Sequence, residues 1–549
     1  MTLIEQHAGG AGQSRVRRAS RPDAAPAVAS VLTRLLAVAA AGALVLTGAG
    51  CGGVSTKPAD TAAGAPKRVT ITTSFAISDL DPLKNGFWAP EFGFGALLMK
   101  PVAGGKLEPW LLESAQQAGP TSWRLRLKPN LTFQNGQPID AAAVAAVMTF
   151  HLAQNPAVKP LLPGATVAAT DPRTVTLTTA KPTSYVLSLL AHESMFPIFD
   201  HAAYQKVRAR PADLVAARIW SGPYTVTTLT AEAMTLAPTA GYTVSTPKLE
   251  QLTVRFIPDA QARILAVRNG EADLALYPPT SAARELVGRS DAVYRNQAPG
   301  TGAEGFQLVL NPRTGPLAEV QVRQALRYGI DYTQLATQVL NGQYDTAVGF
   351  YPAFLPYARR NQTTDPGKAG QLLDVAGWTR AGDGIRTKAG RPLRITLLTY
   401  PQQPDSRTVA VALQAQLRQV GVDVQVKQVE DITAAVKSPA GWDAGVMGNG
   451  TLDWTQTDPV TPIIANFTPG GDNNHGGIDD PELTGLANQL AATFDPAARD
   501  KLLARVQQIV VEEKAFGLNL VLKRVPVVAG PKLRDYAVPP VALLWVDAF

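Results

Sequence analysis

The folded part of the chain begins with the stretch RVTITT at residues 68–73 and continues with SFAISDLDPL at 74–83. The first six residues alternate in character and are rich in β-branched side chains, which predicts a strand. The ten residues that follow form an aromatic and acidic loop at the end of that strand. Binding sites usually lie in such loops, so Phe75 is a candidate ligand-binding residue.

Further strands and helices follow this first strand. Alternating residues predict strands at 123–127 and 174–178. The pair Asn135-Gly136 predicts the turn of a hairpin within 131–139. Asp140 is placed to cap a helix whose apolar residues recur at helical spacing. These apolar residues are Val144, Val147, Met148 and Phe150, and a second helix is predicted at 185–190.

An apolar run at 35–46 precedes the small residues Gly48-Ala49-Gly50 and the only cysteine, Cys51. The run is shorter than the ~20 residues of a membrane span, and it follows arginines, as in a secretory signal. This arrangement resembles a bacterial lipoprotein signal, although Gly48 occupies the position where Leu is usual. We therefore predict a signal peptide at 1–50, lipid attachment at Cys51 and a flexible tether over 51–66. An accidental or free cysteine is the alternative.

Charge argues against a nucleic-acid partner. The chain carries a formal net charge of +7, of which +3 lies before Cys51. What remains is a weak basic bias without Lys/Arg clusters interleaved with aromatic residues. The body after the tether, about 480 residues of ordinary apolar content, is long enough for two or three domains.

Catalytic and cofactor motifs are weak. Gly300, Gly302 and Gly305 fit the spacing of a dinucleotide-binding loop, but a strand pattern at 306–311 follows where that loop needs a helix. No Gly-x-Ser-x-Gly sequence is present, and Ser194 beside His192-Glu193 is too local to indicate a catalytic triad. The sequence predicts neither an enzyme nor a bound cofactor.

Metal ligation by the protein alone is not expected either. The histidines after the tether are not at ligand spacing, and His475 lies in a polar, glycine-rich loop where we expect it to be solvated. A metal carried by an organic chelator would need few protein ligands and stays possible. The four histidines that follow the tether are His151, His192, His201 and His475.

A series of short motifs runs in order through the rest of the chain. They are Ser221-Gly222-Pro223-Tyr224, residues 252–260 with Arg263, Asn269-Gly270-Glu271-Ala272-Asp273-Leu274, Val322-Arg323-Gln324-Ala325-Leu326 with Ile330-Asp331, Asp365-Pro366, Ala376-Gly377-Trp378, residues 417–424, Trp442-Asp443 and Asp458-Pro459. This order is similar to that of the family 5 substrate-binding proteins of ABC importers, which include oligopeptide-, dipeptide- and nickel-binding proteins. The resemblance covers roughly residues 67 to 549.

The resemblance implies an α/β fold of the periplasmic-binding-protein type, with two lobes that close on a ligand by a hinge. Lobe I would comprise residues 67–90, 216–298 and 520–549. Residues 91–215 would be a subdomain inserted in lobe I. Lobe II would comprise residues 299–519, and Gly300 and Gly302, at the first crossover between lobes, are hinge candidates.

The resemblance also directs attention to residues 447–459, which we call the ligand loop. In peptide-binding relatives an aspartate four residues before the proline pairs with the ligand's α-ammonium, and here that position holds Thr455. Asp453 would serve if the loop shifts by a short insertion, with Trp454 stacking on the ligand. Asp458 is a further candidate. The alternative is that Asp458 caps the following turn and Asp453 faces water.

The function implied is capture of a small solute outside the cytoplasmic membrane and its delivery to an ABC permease and ATPase. Peptides are the leading class, since strand-like hydrogen bonding can recognise the backbone of an extended ligand. The alternatives are a nickel chelate or metallophore, an opine or an oligosaccharide. A third hypothesis is a sensory lipoprotein without a transport role. The expected location is the outer face of the cytoplasmic membrane, through the lipid anchor.

Overall fold

The predicted first strand, Arg68–Thr73, is confirmed in the computed structural model, where it lies inside a seven-stranded sheet. The structure describes residues 67–102, 106–300, 304–448, 458–539 and 546. The described residues, which begin at residue 67, all belong to one unit. The predicted signal peptide, tether and Cys51 lie outside the described residues.

The seven-stranded sheet is mixed. Arg68–Thr73 pairs in parallel with Gln251–Phe256 on one side and Leu274–Leu276 on the other, so three carboxyl ends lie at the same edge. The Oδ2 of Asp273 accepts the Thr70 N–H at 2.9 Å and fixes this register. In spatial order the strands are Val293–Arg295, Val527–Ala529, Leu274–Leu276, Arg68–Thr73, Gln251–Phe256, Ala233–Pro238 and Tyr224–Leu229.

A six-stranded sheet forms the second main layer. Arg394–Thr399 pairs in parallel with both Asp423–Gln428 and Ala444–Gly448, whereas Glu304–Leu310 and Gly517–Lys523 run antiparallel to one another. The strand predicted at 306–311 is thereby confirmed. The spatial order is Asp345–Thr346, Gly517–Lys523, Glu304–Leu310, Ala444–Gly448, Arg394–Thr399 and Asp423–Gln428.

Three smaller sheets complete the β-structure of the described residues. The predicted strands at 123–127 and 174–178 pair in a four-stranded sheet. That sheet has the order Leu112–Gly119, Ser122–Leu127, Thr174–Thr178 and Thr166–Asp171. The others are Met99–Val102 with Lys106–Pro109, and Thr379–Arg380 with Arg386–Lys388 and Arg391–Pro392.

Helices cover the faces of the sheets. The predicted cap at Asp140 is confirmed, since its Oδ1 accepts the Ala143 N–H at 2.8 Å. The α-helices of the described part are Trp88–Glu91, Ala141–Gln154, Val186–Leu190, His201–Val207, Leu214–Ala217, Ala260–Arg268, Ala282–Glu285, Val320–Gly329, Tyr332–Gln334, Pro366–Val375, Pro404–Gln419, Ile432–Lys437, Val460–Phe467, Pro481–Ala492 and Pro496–Gln507. Shorter 3₁₀ and π segments are Pro211–Asp213, Gly315–Ala318, Leu335–Val339, Gln508–Glu513 and Pro531–Leu533.

The two large sheets define the two lobes. We call the body on the seven-stranded sheet lobe I and the body on the six-stranded sheet lobe II. Lobe II has its own core, which includes Phe306, Leu326 and Leu413. A second, larger cluster includes Ile71 and Val254 of the seven-stranded sheet and extends to Ile463. No helix of the described residues is long and apolar enough to cross a membrane.

Candidate functional site

The carboxyl ends of parallel strands from both lobes approach one another. Phe75 follows Arg68–Thr73, and Tyr277 directly follows Leu274–Leu276, both in lobe I. Tyr400 directly follows Arg394–Thr399 of lobe II. The lobes touch here, since Ser74 Oγ donates to the Gln402 carbonyl at 3.0 Å. Ligands of open α/β sheets bind beyond the carboxyl ends of strands, so this region is the candidate binding site.

Six residues at this meeting point form a group that we call the interlobe cluster: Phe75, Trp88, Glu91, Tyr277, Glu304 and Lys523. The ring of Phe75 lies 5.3 Å from that of Trp88 and 5.3 Å, edge to face, from that of Tyr277. Tyr277 Oη donates to Glu91 Oε1 at 3.1 Å. The Lys523 ammonium lies 5.1 Å from the centre of the Tyr277 ring and 3.5 Å from Glu304.

Tyr277 is the centre of the interlobe cluster, and its position is fixed by the backbone. Its φ of +53° lies in the left-handed region, which a tyrosine seldom adopts. Arg263 stabilises this conformation by donating to the carbonyls of Leu276 at 3.1 Å and Tyr277 at 2.8 Å. Burial, with Glu91 and Glu304 nearby, raises the pKa of Tyr277 well above its usual value. The phenol therefore stays protonated as a hydrogen-bond donor.

In lobe II the ligand loop begins at a fixed point. Tyr400 Oη donates to the Gly448 carbonyl at 2.9 Å and accepts the Gly448 N–H at 3.1 Å. A Cβ at Gly448 would lie 2.8 Å from the ring of Phe306, so only glycine permits this close approach. Residues 449–457 lie outside the described residues, and with them Asp453, Trp454 and Thr455. Their roles in binding stay predictions.

The ligand loop also ends at a fixed point. Asp458 Oδ2 accepts from Arg499 Nη2 at 3.0 Å, and its Oδ1 accepts the Val460 N–H at 2.8 Å. Burial raises the pKa of Asp458, and the charge of Arg499 opposes that rise. Tyr351 Oη donates to the Pro459 carbonyl at 2.8 Å. Asp458 thus caps the turn that follows it, and a role for this residue in ligand binding stays a prediction.

Asp405 joins the lobes at a second point. Its Oδ1 accepts from both the backbone N–H and the hydroxyl of Thr280 in lobe I, each at 3.2 Å. Its Oδ2 accepts from Tyr344 Oη of lobe II, also at 3.2 Å. Burial raises the pKa of this carboxyl group, and the donors counteract part of that rise. The two lobes therefore meet in a closed arrangement around the interlobe cluster.

The hinge candidates lie beside this contact. Gly300 has a φ of +80°, and its N–H lies 3.1 Å from each carboxylate oxygen of Asp345. Gly302 lies outside the described residues. Glu304 and Lys523, where the chain enters and leaves the six-stranded sheet, are register partners. The ion pair thus sits where both crossovers meet lobe II, and the hinge role of the glycines stays a prediction.

The prediction that His475 is solvated is wrong. The residue is only 6 % exposed, and desolvation lowers its pKa to about 4, so the ring is neutral. The polar loop folds onto the body instead, because Arg313 donates to the His475 carbonyl at 2.8 Å. His151 is fully buried, and desolvation lowers its pKa to about 4 as well. Over the described ranges no three His, Cys, Asp or Glu side chains are arranged to hold a metal.

The fold and this site define a two-lobed solute-binding protein of the periplasmic type. Residues 106–474 match the family described as bacterial extracellular solute-binding proteins, family 5 Middle. That match spans most of the chain, and the chain therefore belongs to this family. Its members are binding proteins rather than enzymes, and this one is the extracytoplasmic solute-binding component of an ABC importer.

Similar proteins bear names for different solutes. The chain is 24% identical over 510 residues to the nickel-binding protein NikA of Staphylococcus aureus, covering 92% of this chain and 96% of that one. It is 24% identical over 520 residues to the glutathione-binding protein GsiB of Escherichia coli O1:K1, covering 89% and 95% respectively.

Solved structures share the fold. NikA from Staphylococcus aureus in complex with Ni(L-His)2 superposes with a TM-score of 0.76 at 22% identity, over 87% of this chain and 98% of that one. The oligopeptide-binding protein AppA from Bacillus subtilis, in complex with a nonapeptide, gives 0.74 at 19% identity, over 88% and 98%. The predicted two-lobed α/β fold is confirmed.

Sequence analysis singled out Phe75 and the ligand loop, but it missed Tyr400 and the other five residues of the interlobe cluster, which include Trp88 and Glu304. Glu91, Tyr277 and Lys523 come from distant parts of the chain, and Tyr400 gave no motif of its own. The position of Tyr277 and Tyr400 in the sequence could have identified them. Each directly follows a predominantly apolar strand, and ligands of α/β sheets bind beyond the carboxyl ends of such strands.

Proposed function

We propose that the solute is amino-acid-derived, with peptides and peptide-like compounds as the leading class. The observation that carries this proposal is the interlobe cluster, which brings aromatic rings and charges of both signs to the ends of the strands. A zwitterionic solute suits such a site, because a desolvated ammonium or carboxylate each needs a partner of opposite charge. Aromatic faces add contact area that tolerates different side chains.

The interlobe cluster contains residues of both lobes, so a solute bound there would contact both lobes. Phe75, Glu91 and Tyr277 belong to lobe I, whereas Glu304 and Lys523 belong to lobe II. A solute that touches both sets favours the closed state by its difference in affinity for the closed and open states. The two crossovers, at 296–303 and 524–526, are the segments that we propose absorb the rotation, with Gly300 and Gly302 in the first of them.

We propose domain boundaries that follow the sheets. The strands of residues 67–90 and 216–298 belong to lobe I, and residues 91–215, which include the four-stranded sheet, form the inserted subdomain. Because the strand Gly517–Lys523 pairs with Glu304–Leu310, we place the return to lobe I after Lys523. Residues 299–523 would then form lobe II, which moves the predicted boundary at 520 by a few residues.

A nickel chelate with an amino acid is the second candidate. It is favoured by the likeness to NikA over 92% of this chain and by the shared fold with the NikA complex that holds Ni(L-His)2. An amino-acid chelator offers the same mixed charges as a peptide. Such a chelator also supplies most of the metal ligands itself. This suits the candidate site, because the described residues include no group of three His, Cys, Asp or Glu side chains that could hold a metal ion.

Calorimetry on the purified protein separates the two candidates. The probes are a dipeptide, the same dipeptide N-acetylated, reduced glutathione, and Ni(II) with excess L-histidine. We expect the free dipeptide or glutathione to bind and the acetylated form to bind more weakly. If only the nickel–histidine mixture binds, the solute is a nickel chelate and not a peptide. If none of the four probes binds, the proposal is contradicted.

We also propose that Cys51 anchors the protein to the membrane through a lipid. Cys51→Ser removes the only thiol of the chain, so no acyl group can attach. We expect the variant to move from the membrane fraction to the soluble fraction and to lose labelling by palmitate. If the parent and the variant partition alike and neither is labelled, the anchor is absent.

A further inference from the structure

The segment that leads into the helix Pro404–Gln419 reaches lobe I at two points. The Gln402 carbonyl accepts from Ser74 Oγ at 3.0 Å. Asp405 Oδ1 accepts from the backbone N–H and the hydroxyl of Thr280, each at 3.2 Å. We call these three hydrogen bonds together the 402–405 contact.

The acceptors of the 402–405 contact belong to lobe II by their packing. The helix Pro404–Gln419 buries Leu413 in the hydrophobic core that also holds Phe306 of the six-stranded sheet. Tyr344 lies in the same core. Its Oη donates to Asp405 Oδ2 at 3.2 Å, so this hydrogen bond is made within lobe II. Tyr344 therefore orients the carboxylate without help from lobe I.

The donors of the 402–405 contact belong to lobe I. Ser74 directly follows the strand Arg68–Thr73, and Thr280 comes shortly after the strand Leu274–Leu276. Just beyond Thr280, Ala282 packs in a core cluster with residues of the same seven-stranded sheet. The two strands are parallel neighbours, so the 402–405 contact spans the carboxyl ends of both.

The carboxylate of Asp405 is occupied by the protein itself. The residue is 4% exposed, and its two oxygens accept three hydrogen bonds, two of them from Thr280 and one from Tyr344. Opening the lobes would break the two bonds to Thr280 and keep the one within lobe II. Since none of these bonds involves a solute, the free energy that they add to closure is the same for every solute.

We propose that Asp405 is a positioning residue that sets the balance between open and closed lobes independently of the solute. The interlobe cluster then decides which solute binds, and the 402–405 contact decides how much of the protein is closed. The apparent affinity for each solute scales with that closed fraction, so a change in the contact alters all affinities by one factor. This inference rests on the proposed function, because it requires that the lobes open and close.

Double electron–electron resonance between spin labels in the two lobes measures the closed fraction. Val287→Cys and Val375→Cys supply the attachment sites in a Cys51→Ser background, which lacks the only native thiol. The two valines are 77% and 80% exposed. Val287 follows Leu286 of the lobe I cluster, and Val375 ends a helix whose Leu373 packs in the core of lobe II. The protein is first freed of bound solute by unfolding and refolding.

Thr280→Val keeps the shape of the side chain and removes one donor to the carboxylate. Without added solute, we expect the ratio of closed to open protein to fall about tenfold. Ser74→Ala removes the hydrogen bond to the Gln402 carbonyl and should lower the same ratio about fivefold. In calorimetry, Thr280→Val should weaken reduced glutathione and Ni(II) with excess L-histidine by one factor, for whichever of them the parent protein binds.

Thr280→Ser and Ser406→Ala are the matched controls. Thr280→Ser keeps the hydroxyl and should retain the closed fraction of the parent protein. Ser406 is a fully buried residue of the helix Pro404–Gln419, but its Oγ donates to the Tyr400 carbonyl at 3.1 Å, within lobe II. Ser406→Ala should therefore lower the melting temperature and leave the ratio of closed to open protein unchanged.

The proposal is overturned if Thr280→Val leaves the closed fraction unchanged, or if Ser406→Ala lowers it as much. It is also overturned if the parent protein shows no closed population with or without the two probes, because the 402–405 contact then does not form. If neither probe binds but the closed fraction falls as expected without solute, the proposed solute class is wrong and the role of Asp405 stands.

Discussion

Lys523→Met is expected to lower the free energy of unfolding by about 3 to 5 kcal/mol, because it leaves the carboxylate of Glu304 buried without its ammonium partner. Lys523 is 2% exposed and Glu304 12% exposed, and their charged atoms lie 3.5 Å apart. Methionine keeps most of the aliphatic length that packs near the Tyr277 ring. The decrease in the free energy of unfolding therefore measures the loss of the charge and not the creation of a cavity. Urea unfolding of the parent and the variant measures the difference.

The double variant Lys523→Met, Glu304→Gln is the control for this prediction. Replacing both residues removes the carboxylate charge that has lost its ammonium partner, so the double variant should recover a large part of the lost stability. A single variant that loses less than about 1 kcal/mol, the range of an exposed pair, would show that the ion pair does not hold the crossovers together.

Asp453→Asn is expected to weaken binding of a dipeptide with a free amino terminus by about 2 to 5 kcal/mol. The substitution removes a charge while it keeps the size of the side chain and most of its hydrogen bonding. The N-acetylated dipeptide carries no ammonium, so its weaker affinity should not change. Calorimetry of both peptides with the parent and the variant gives the comparison.

Trp454→Ala is the matched variant in the same loop. Loss of stacking area should weaken the free and acetylated peptides alike, in contrast to the selective effect of Asp453→Asn. If the parent protein binds both peptides equally, Asp453 is a loop residue without a charge partner in the ligand, and the chelate candidate gains support.

Local pattern predicted the regular elements of the fold well. The alternation of β-branched residues located Arg68–Thr73 with its bounds, and the spacing of Asp140 before apolar residues located Ala141–Gln154. The hairpin at 131–139 is weaker than its Asn-Gly turn suggested. The turn forms, but pairing is limited to one bridge between Thr132 and Pro138. Backbone hydrogen bonds from Phe133 to the Gln137 carbonyl at 2.8 Å and from Ile139 to the Leu131 carbonyl at 2.9 Å flank that bridge, whereas the Gln134 N–H donates outside the hairpin, to the Trp220 carbonyl at 2.9 Å.

The candidate site was harder to predict because its chemistry is assembled from distant residues. The Glu304–Lys523 pair depends on strand register, and the Tyr277–Glu91 hydrogen bond joins residues 186 positions apart. A polar sequence also misled us at His475, since Gly476 and Gly477 allow that loop to pack against Pro312 and Arg313. Tertiary contacts of this kind leave no periodic signal along the chain.

Small-angle X-ray scattering tests the central claim, closure of two lobes on an amino-acid-derived solute, most directly. The protein is freed of bound solute by unfolding and refolding, and scattering is recorded as the dipeptide or glutathione is added. We predict a radius of gyration that falls to a plateau with solute and a melting temperature that rises with its concentration. Calorimetric binding of these solutes with no change in either quantity would contradict the account.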